Sequence, residues 1–306
     1  MKEIRLGNTG RLVPAVVVGC MRLESKNPGE MQRFIHHAMA QGANYFDHAD
    51  IYGGGRCETL FGQAMARDGS LRRQDMVLQS KCGIRQGFFD FSEEYIVSSV
   101  EGILRRLQTD YLDVLLLHRP DALMEPEEVA RAFDLLHRSG KVREFGVSNF
   151  RPMQIELLKT CVRQPLLINQ MQFSIPVSNM VAMGLEANMT TPGAADRDGG
   201  VLDYARLNGM TVQAWSPFQM ENWQGCFIDH PRYEGLNKEM QQLAEQYGVS
   251  KTTIATAWIL RHPARMQVVA GTASESRLTE IIAAEKVELT REEWYRLYLA
   301  AGHILP

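Results

Sequence analysis

The stretch Asn44-Tyr45-Phe46-Asp47-His48-Ala49-Asp50-Ile51-Tyr52-Gly53 decides how the rest of this chain is read. Upstream, residues 31–41 carry a helical pattern that Gly42 stops. Residues 44–47 are short and aromatic enough for a strand, with the acid Asp47 at its end. Tyr52 follows, and Gly53-Gly54-Gly55 comes straight after it. A strand that ends in an acid and opens into a glycine-rich loop carries side chains to a surface rather than into a core. In repeated strand–helix architectures, that edge of the sheet is where chemistry sits.

Outward from this stretch the same unit repeats. On the N-terminal side, Leu6-Gly7-Asn8-Thr9-Gly10 reads as the turn of a β-hairpin, and residues 15–20 form an apolar, β-branched run suited to a strand buried on both faces. On the C-terminal side a helix covers 56–67. Strands at 76–80, 112–117, 144–147 and 166–169 then alternate with helices at 92–107, 126–138, 152–160 and 201–208. Strand 210–215 leads to helices 236–247 and 252–261; strand 266–270 leads to helices 274–284 and 291–300. Ser92 caps its helix with Glu93 and Glu94 in the first turn, and Pro126 opens another that Gly140 closes. Residues 173–200 and 218–234 show no period and read as loops. Strict alternation implies parallel strands, and eight of them close into a barrel. The expectation is an α/β chain forming a single (β/α)8 TIM barrel over residues 1–306, with an N-terminal β-hairpin capping one end. The first strand–helix turn lacks GxGxxG, which weighs against a doubly wound open sheet.

Length agrees, because α/β barrels run to roughly 250 residues or more as one domain and the chain has 306. A net charge of −3 without a long run of one sign argues against nucleic acid or an anionic membrane as a partner. Cys20, Cys57, Cys82, Cys161 and Cys226 are odd in number, scattered, and never in CxxC spacing. This pattern fits reduced thiols in a cytoplasmic protein better than disulfides or zinc. His36-His37 and His48 lack the acids or cysteines that would make a metal site. The apolar runs are too short to span a membrane, and the N-terminal residues do not form a signal region. Nothing demands an oligomer, so a monomer is expected.

The residues at the strand ends carry the functional argument. They are Asp47 and Tyr52, Lys81, His118, Ser148-Asn149, Gln170, Trp215-Ser216, and Gly271-Thr272 with Arg277 beyond. In a barrel they converge on one face. A phenol with a pKa of about 10 is a poor proton donor at neutral pH, and a nearby ammonium lowers that value. A carboxylate keeps the lysine charged, and an imidazole can orient a carbonyl. Such a set suits protonation of a carbonyl oxygen while hydride reaches its carbon.

In these residues the chain resembles the aldo-keto reductase family over essentially its full length. The resemblance rests on Phe46-Asp47-His48-Ala49-Asp50-Ile51-Tyr52-Gly53, Ser80-Lys81, His118-Arg119-Pro120, Gly146-Val147-Ser148-Asn149-Phe150, Asn169-Gln170, Trp215-Ser216-Pro217 and the segment from Gly271 to Glu280. It implies a barrel that uses NADPH/NADP+ without a Rossmann fold and acts on a small-molecule carbonyl substrate. By the resemblance, Tyr52 is the proton donor, Lys81 lowers its pKa, Asp47 partners that lysine and His118 orients the carbonyl. Ser148, Asn149 and Gln170 match the residues that hold the nicotinamide carboxamide, and Trp215 the aromatic that stacks on its ring. Gly271, Thr272, Arg277 and Glu280 match the segment that holds the 2′-phosphate and adenine. Cys20, Met21, Ser216 and Phe218 are assigned to the same cofactor groove. Gly271 replaces a lysine common in the family, so phosphate selectivity leans on Arg277 and the helix start behind it.

Other readings stand beside this one. Asp47 and Lys81 could form only a structural ion pair, and the glycine triplet a flexible turn, since the Lys-Ser/Thr of a P-loop is missing. The chain could be an NADPH-binding regulatory or sensor module with little turnover, or a Schiff-base lyase using Lys81. From loop position, Met21, Arg22, Phe88, Phe89, Trp215 and Trp223 are assigned to the substrate pocket, which would then favour hydrophobic carbonyls.

Overall fold

Two short antiparallel strands open the chain, β1 (Glu3–Arg5) and β2 (Leu12–Pro14). The computed structural model describes residues 1–67 and 69–306. After the hairpin come β3 (Val16–Gly19), α1 (Pro28–Ala40), β4 (Tyr45–Asp47), α2 (Arg56–Ala66), β5 (Val77–Cys82), a second small hairpin of β6 (Ile84–Arg85) and β7 (Phe88–Phe89), α3 (Glu93–Leu107), β8 (Leu112–Leu117), α4 (Pro126–Arg138), β9 (Val142–Ser148), α5 (Pro152–Lys159) and β10 (Leu166–Gln172). The remainder is α6 (Asn179–Leu185), α7 (Val201–Leu207), β11 (Thr211–Trp215), α8 (Glu234–Tyr247), α9 (Lys251–Leu260), β12 (Gln267–Ala270), α10 (Glu275–Ile282) and α11 (Arg291–Ala300).

Strands β3, β4, β5, β8, β9, β10, β11 and β12 pair in parallel in that order, and β12 returns to β3 to close a barrel. Their composition explains the closure. In β3 and β8 every residue is buried, as expected where helices cover one face and the barrel core the other. The helices start at designed stops. Asn27 and Glu30 form a capping box with Pro28 in the first turn of α1, and Ser92, Ser250, Ser274 and Thr290 each accept a backbone N–H at the starts of α3, α9, α10 and α11. The N-terminal hairpin plugs the barrel floor. Gly7 N–H donates to Thr211 Oγ1 at 2.7 Å, and Arg11 reaches Asp113 at 2.9 Å, where Arg73 also binds at 2.7 Å. On the outside, Trp258 and Trp294 exchange indole N–H bonds with each other's carbonyls at 3.0 Å and stack at 4.6 Å, which fixes α11 against α9.

Three local expectations change. The strand expected at 76–80 runs on through Cys82, so Lys81 lies inside it rather than beyond it. The stretch 173–200 contains α6. Phe88 and Phe89 sit in β7, where both are exposed; two-residue strands around the Gln86-Gly87 turn are too short to register as a period.

Candidate active site

Asp47 ends β4 opposite Gln79 of the neighbouring strand β5, and Lys81 lies two residues further along β5, within reach of Asp47. Lys81 is fully buried. Its Nζ donates to both carboxylate oxygens of Asp47 at 2.7 Å, to the His48 carbonyl at 2.8 Å and to the Tyr52 hydroxyl at 3.1 Å. Burial would strip the lysine of its proton, but Asp47 and Tyr52 outweigh it and raise its pKa. The ammonium is therefore held charged between an acid and a phenol.

Tyr52 is presented by a tight turn. Gly53, Gly54 and Gly55 follow it with φ of 57°, 61° and 89°, left-handed values that a side chain would resist. The triplet is thus a defined corner. The loop before it is pinned as well: His48 N–H donates to Gln79 O and Asp50 N–H to Lys81 O, while the Asp50 carboxylate accepts from Ser99 at 2.8 Å. His48 itself is buried edge-on against Phe61 and held neutral by burial, its pKa pushed down to about 3.

The Tyr52 pKa departs from expectation. Burial raises it by more than Lys81 lowers it, and Asp47, by offsetting the lysine's charge, adds to the rise. The phenol stays protonated at neutral pH. His118, just past β8, lies 6.0 Å from Tyr52 ring to ring and nearly perpendicular to it. Burial, Lys81 and Arg119 hold its pKa well below the ordinary value, so it is a neutral imidazole. Its Nδ1 is buried without a hydrogen-bond partner.

Beneath this group runs a chain of amides that the sequence reading did not pick out. Gln79 Nε2 donates to Asp47 Oδ1 at 2.5 Å and to Gln213 Oε1 at 2.9 Å. Gln213 Nε2 donates to Gln267 Oε1 at 2.9 Å, and Gln267 Nε2 to the Pro14 carbonyl at 2.6 Å. Tyr45 hydroxyl closes onto Gln79 Oε1 at 2.8 Å. Carboxylate and carbonyl can only accept, so both ends of the chain demand an NH2 group, and the direction of donation reverses at Gln79, whose NH2 gives one hydrogen each way. The available signal was parity: polar glutamines at positions of apolar strands that face the barrel interior. Glu58, also missed, is buried and accepts from Ser80 at 2.6 Å and Arg106 at 2.7 Å, bracing α2 against β5 and α3.

On the opposite arc of the mouth, Ser148 Oγ donates to Gln170 O at 3.0 Å, Asn149 Nδ2 donates to Ser148 Oγ at 2.8 Å, and Trp215 Nε1 donates to Asn149 Oδ1 at 3.0 Å. Gln170 Nε2 reaches Asp47 at 3.2 Å, which ties this set to the first. Asn149 and Ser216 have φ of 63° and 50°, strained backbone of the kind that clusters at functional sites. Trp215 stacks with Trp223 at 5.2 Å, and the Arg119 guanidinium lies 5.5 Å from its ring. Phe218 is half-buried, its carbonyl bonded to Phe227 N–H.

Around the start of α10 lies a cleft of about 380 Å³ lined by Arg22, Gly271, Thr272, Ala273, Ser274 and Arg277. Arg22 thus joins the segment around Arg277. A helix start flanked by two exposed guanidiniums is a good anion site, so a phosphorylated cofactor fits these residues. Two assigned residues are placed otherwise. Cys20 is fully buried and its thiol faces the Val18 carbonyl, while its neighbour Met21 is exposed. The Glu280 carboxylate accepts from Ser250 at 2.9 Å, which docks α10 on the start of α9.

Comparison with known proteins agrees with this geometry. The model of the aldo/keto reductase family matches residues 15–299. The oxidoreductase YdhF of Escherichia coli is 34% identical, with all of both chains covered. A 6-dehydroglucose reductase of Agrobacterium fabrum is 32% identical over 94% of this chain and 93% of its own. The crystal structure of the thermostable aldo-keto reductase Tm1743 in complex with the inhibitor epalrestat superposes with a TM-score of 0.79 at 25% identity, covering 98% of this chain and 100% of that one. The chain belongs to the aldo-keto reductase family, NADP-dependent oxidoreductases that act on small carbonyl compounds.

Proposed function

We propose that this chain reduces a small aldehyde or ketone to the alcohol with NADPH, Tyr52 supplying the proton. The observation that carries the reading is the buried Lys81 ammonium bridging Asp47 and the Tyr52 hydroxyl. NADPH, when bound, supplies the hydride to the carbonyl carbon. Trp215 would stack on the nicotinamide, and Ser148, Asn149 and Gln170 would hold its carboxamide, trading their present bonds with one another for it. Arg277 and Arg22 would receive the adenosine phosphate.

His118, neutral, offers a ring N–H to the carbonyl oxygen and fixes it beside Tyr52. As negative charge grows on that oxygen, Tyr52 hands over its proton. Lys81 stabilises the phenolate left behind, and Asp47, held from below by Gln79, keeps Lys81 aimed and charged. Burial keeps the phenol protonated at neutral pH, so Tyr52 has a proton to give in the reductive direction. A monomeric single barrel working in the cytoplasm is part of this reading. The name of the 6-dehydroglucose reductase relative suggests starting with small, oxygen-rich aldehydes rather than apolar ones.

The test follows NADPH oxidation with a panel of aldehydes, ketones and quinones, wild type beside Tyr52→Phe. Turnover should fall at least about a hundredfold in the variant, with NADPH affinity kept. The wild-type rate should hold through neutral pH and decline only at alkaline pH, as the raised phenol pKa is crossed. Near-normal turnover by Tyr52→Phe refutes the role.

A further inference from the structure

Arg119 is the second residue past β8, directly after His118. It is half-buried at the mouth of the barrel, its guanidinium 5.5 Å from the Trp215 ring and close enough to Tyr52 for the two to interact electrostatically. Other partly buried arginines in this fold are compensated: Arg73 pairs with Asp113 at 2.7 Å, and Arg106 with Glu58 at 2.7 Å. Among the described residues, Arg119 has neither a carboxylate within 4.0 Å nor a hydrogen bond. Burial pulls its pKa down, the cost of a guanidinium removed from water without a counter-ion.

We propose that Arg119 is a specificity-determining residue that receives a carboxylate carried by the carbonyl substrate. The inference rests on the reductase reading above. A free, planar guanidinium beside the proton donor matches a carboxylate with two parallel hydrogen bonds. Two anions could approach it, the substrate's carboxylate or a phosphate of the cofactor. Arg22 and Arg277 line the cleft at the start of α10, whereas Arg119 adjoins His118 and Tyr52, where the carbonyl is held. That separation assigns Arg119 to the substrate. The preferred substrates are then short oxo acids, with the carboxylate a few bonds from the carbonyl.

Matched pairs decide it: glyoxylate beside glyoxylamide, and 4-oxobutanoate beside its amide, each at saturating NADPH. At least one acid should exceed its amide in kcat/KM by about tenfold to about a hundredfold, the range of a hydrogen bond to a charged group. In Arg119→Gln that ratio should collapse toward one, while Arg119→Lys keeps part of it. Equal kcat/KM within both pairs in the wild type, or a ratio that survives in Arg119→Gln, overturns the proposal. So does an NADPH affinity that falls in Arg119→Gln while the acid preference stays, because the anion is then the cofactor's. A second readout does not depend on turnover: 4-hydroxybutyrate and its amide are titrated into the NADP+ complex and followed by tryptophan fluorescence. Acid-selective binding that Arg119→Gln abolishes supports the assignment even if every carbonyl proves inert, an outcome that would count against the reductase reading alone. Equal binding of acid and amide removes it.

Discussion

Around β4 and β5, Asp47, Gln79 and Lys81 are buried and bonded to one another, whereas around the start of α10 the cations stand in the open. Lys81 makes four contacts within 3.1 Å and has no exposure. Arg22 and Arg277 are exposed and line a cleft. Under the proposed function, the difference follows from what each arc must do. A proton donor works only if its geometry is already set when substrate arrives, so its supports are strand residues locked by packing. A binding arc must admit a long ligand and release it, so its side chains are kept free. A change in the first arc should therefore disturb fold and chemistry together, and a change in the second only affinity.

The hardest test of that contrast is Lys81→Met. It leaves the Asp47 carboxylate buried without its cation, a loss of about 3–5 kcal/mol, along with turnover. Urea unfolding and NADPH oxidation read the two effects. A variant as stable as wild type would mean that Asp47 is compensated by the glutamines alone.

Gln79→Leu sharpens the comparison one layer down. It removes the 2.5 Å donor to Asp47 and the acceptor of Tyr45, and should destabilise by about 1–3 kcal/mol while lowering kcat more than it raises KM. If only stability changes, the amide chain is scaffolding without influence on Lys81.

Arg277→Met is the mildest. NADPH affinity should drop about tenfold, NADH affinity should hold, and stability should stay within about 0.5 kcal/mol. Equal loss for both nucleotides, or none for either, would detach Arg277 from the 2′-phosphate. A fall in stability comparable to that of Lys81→Met would erase the distinction between the arcs.

The two arcs were also unequally legible in the sequence. Asp47, Tyr52, Lys81 and His118 stood out because each is a chemically able residue at the end of a strand, and alternation of strand and helix fixes where strand ends go. Arg277 was assigned because the segment from Gly271 to Glu280 resembles the family's phosphate-holding stretch. What escaped depends on three dimensions. Gln79, Gln213 and Gln267 are far apart along the chain and meet only because the barrel closes. Cys20 looked like a rim residue, yet its thiol turns inward toward the Val18 carbonyl. Glu280 looked like an adenine contact, but a neighbouring helix start claims its carboxylate. Lys81 lowers the Tyr52 pKa as expected, but burial outweighs it, and the sequence shows which charges are near, not how much water is gone.

Each link below Asp47 is an amide, and amides hold hydrogen bonds without ionising in any working range of pH. The ladder from Pro14 to Asp47 is therefore an insulator. It conveys position from the barrel floor to the lysine but conducts no protons along that path. In the proposed reaction, the proton that Tyr52 gives up is therefore not replaced along this path but from the mouth, by the same door through which the alcohol would depart. Recharging the acid and emptying the site are thus consecutive uses of one opening, and a product slow to leave would also keep the phenol from being reset.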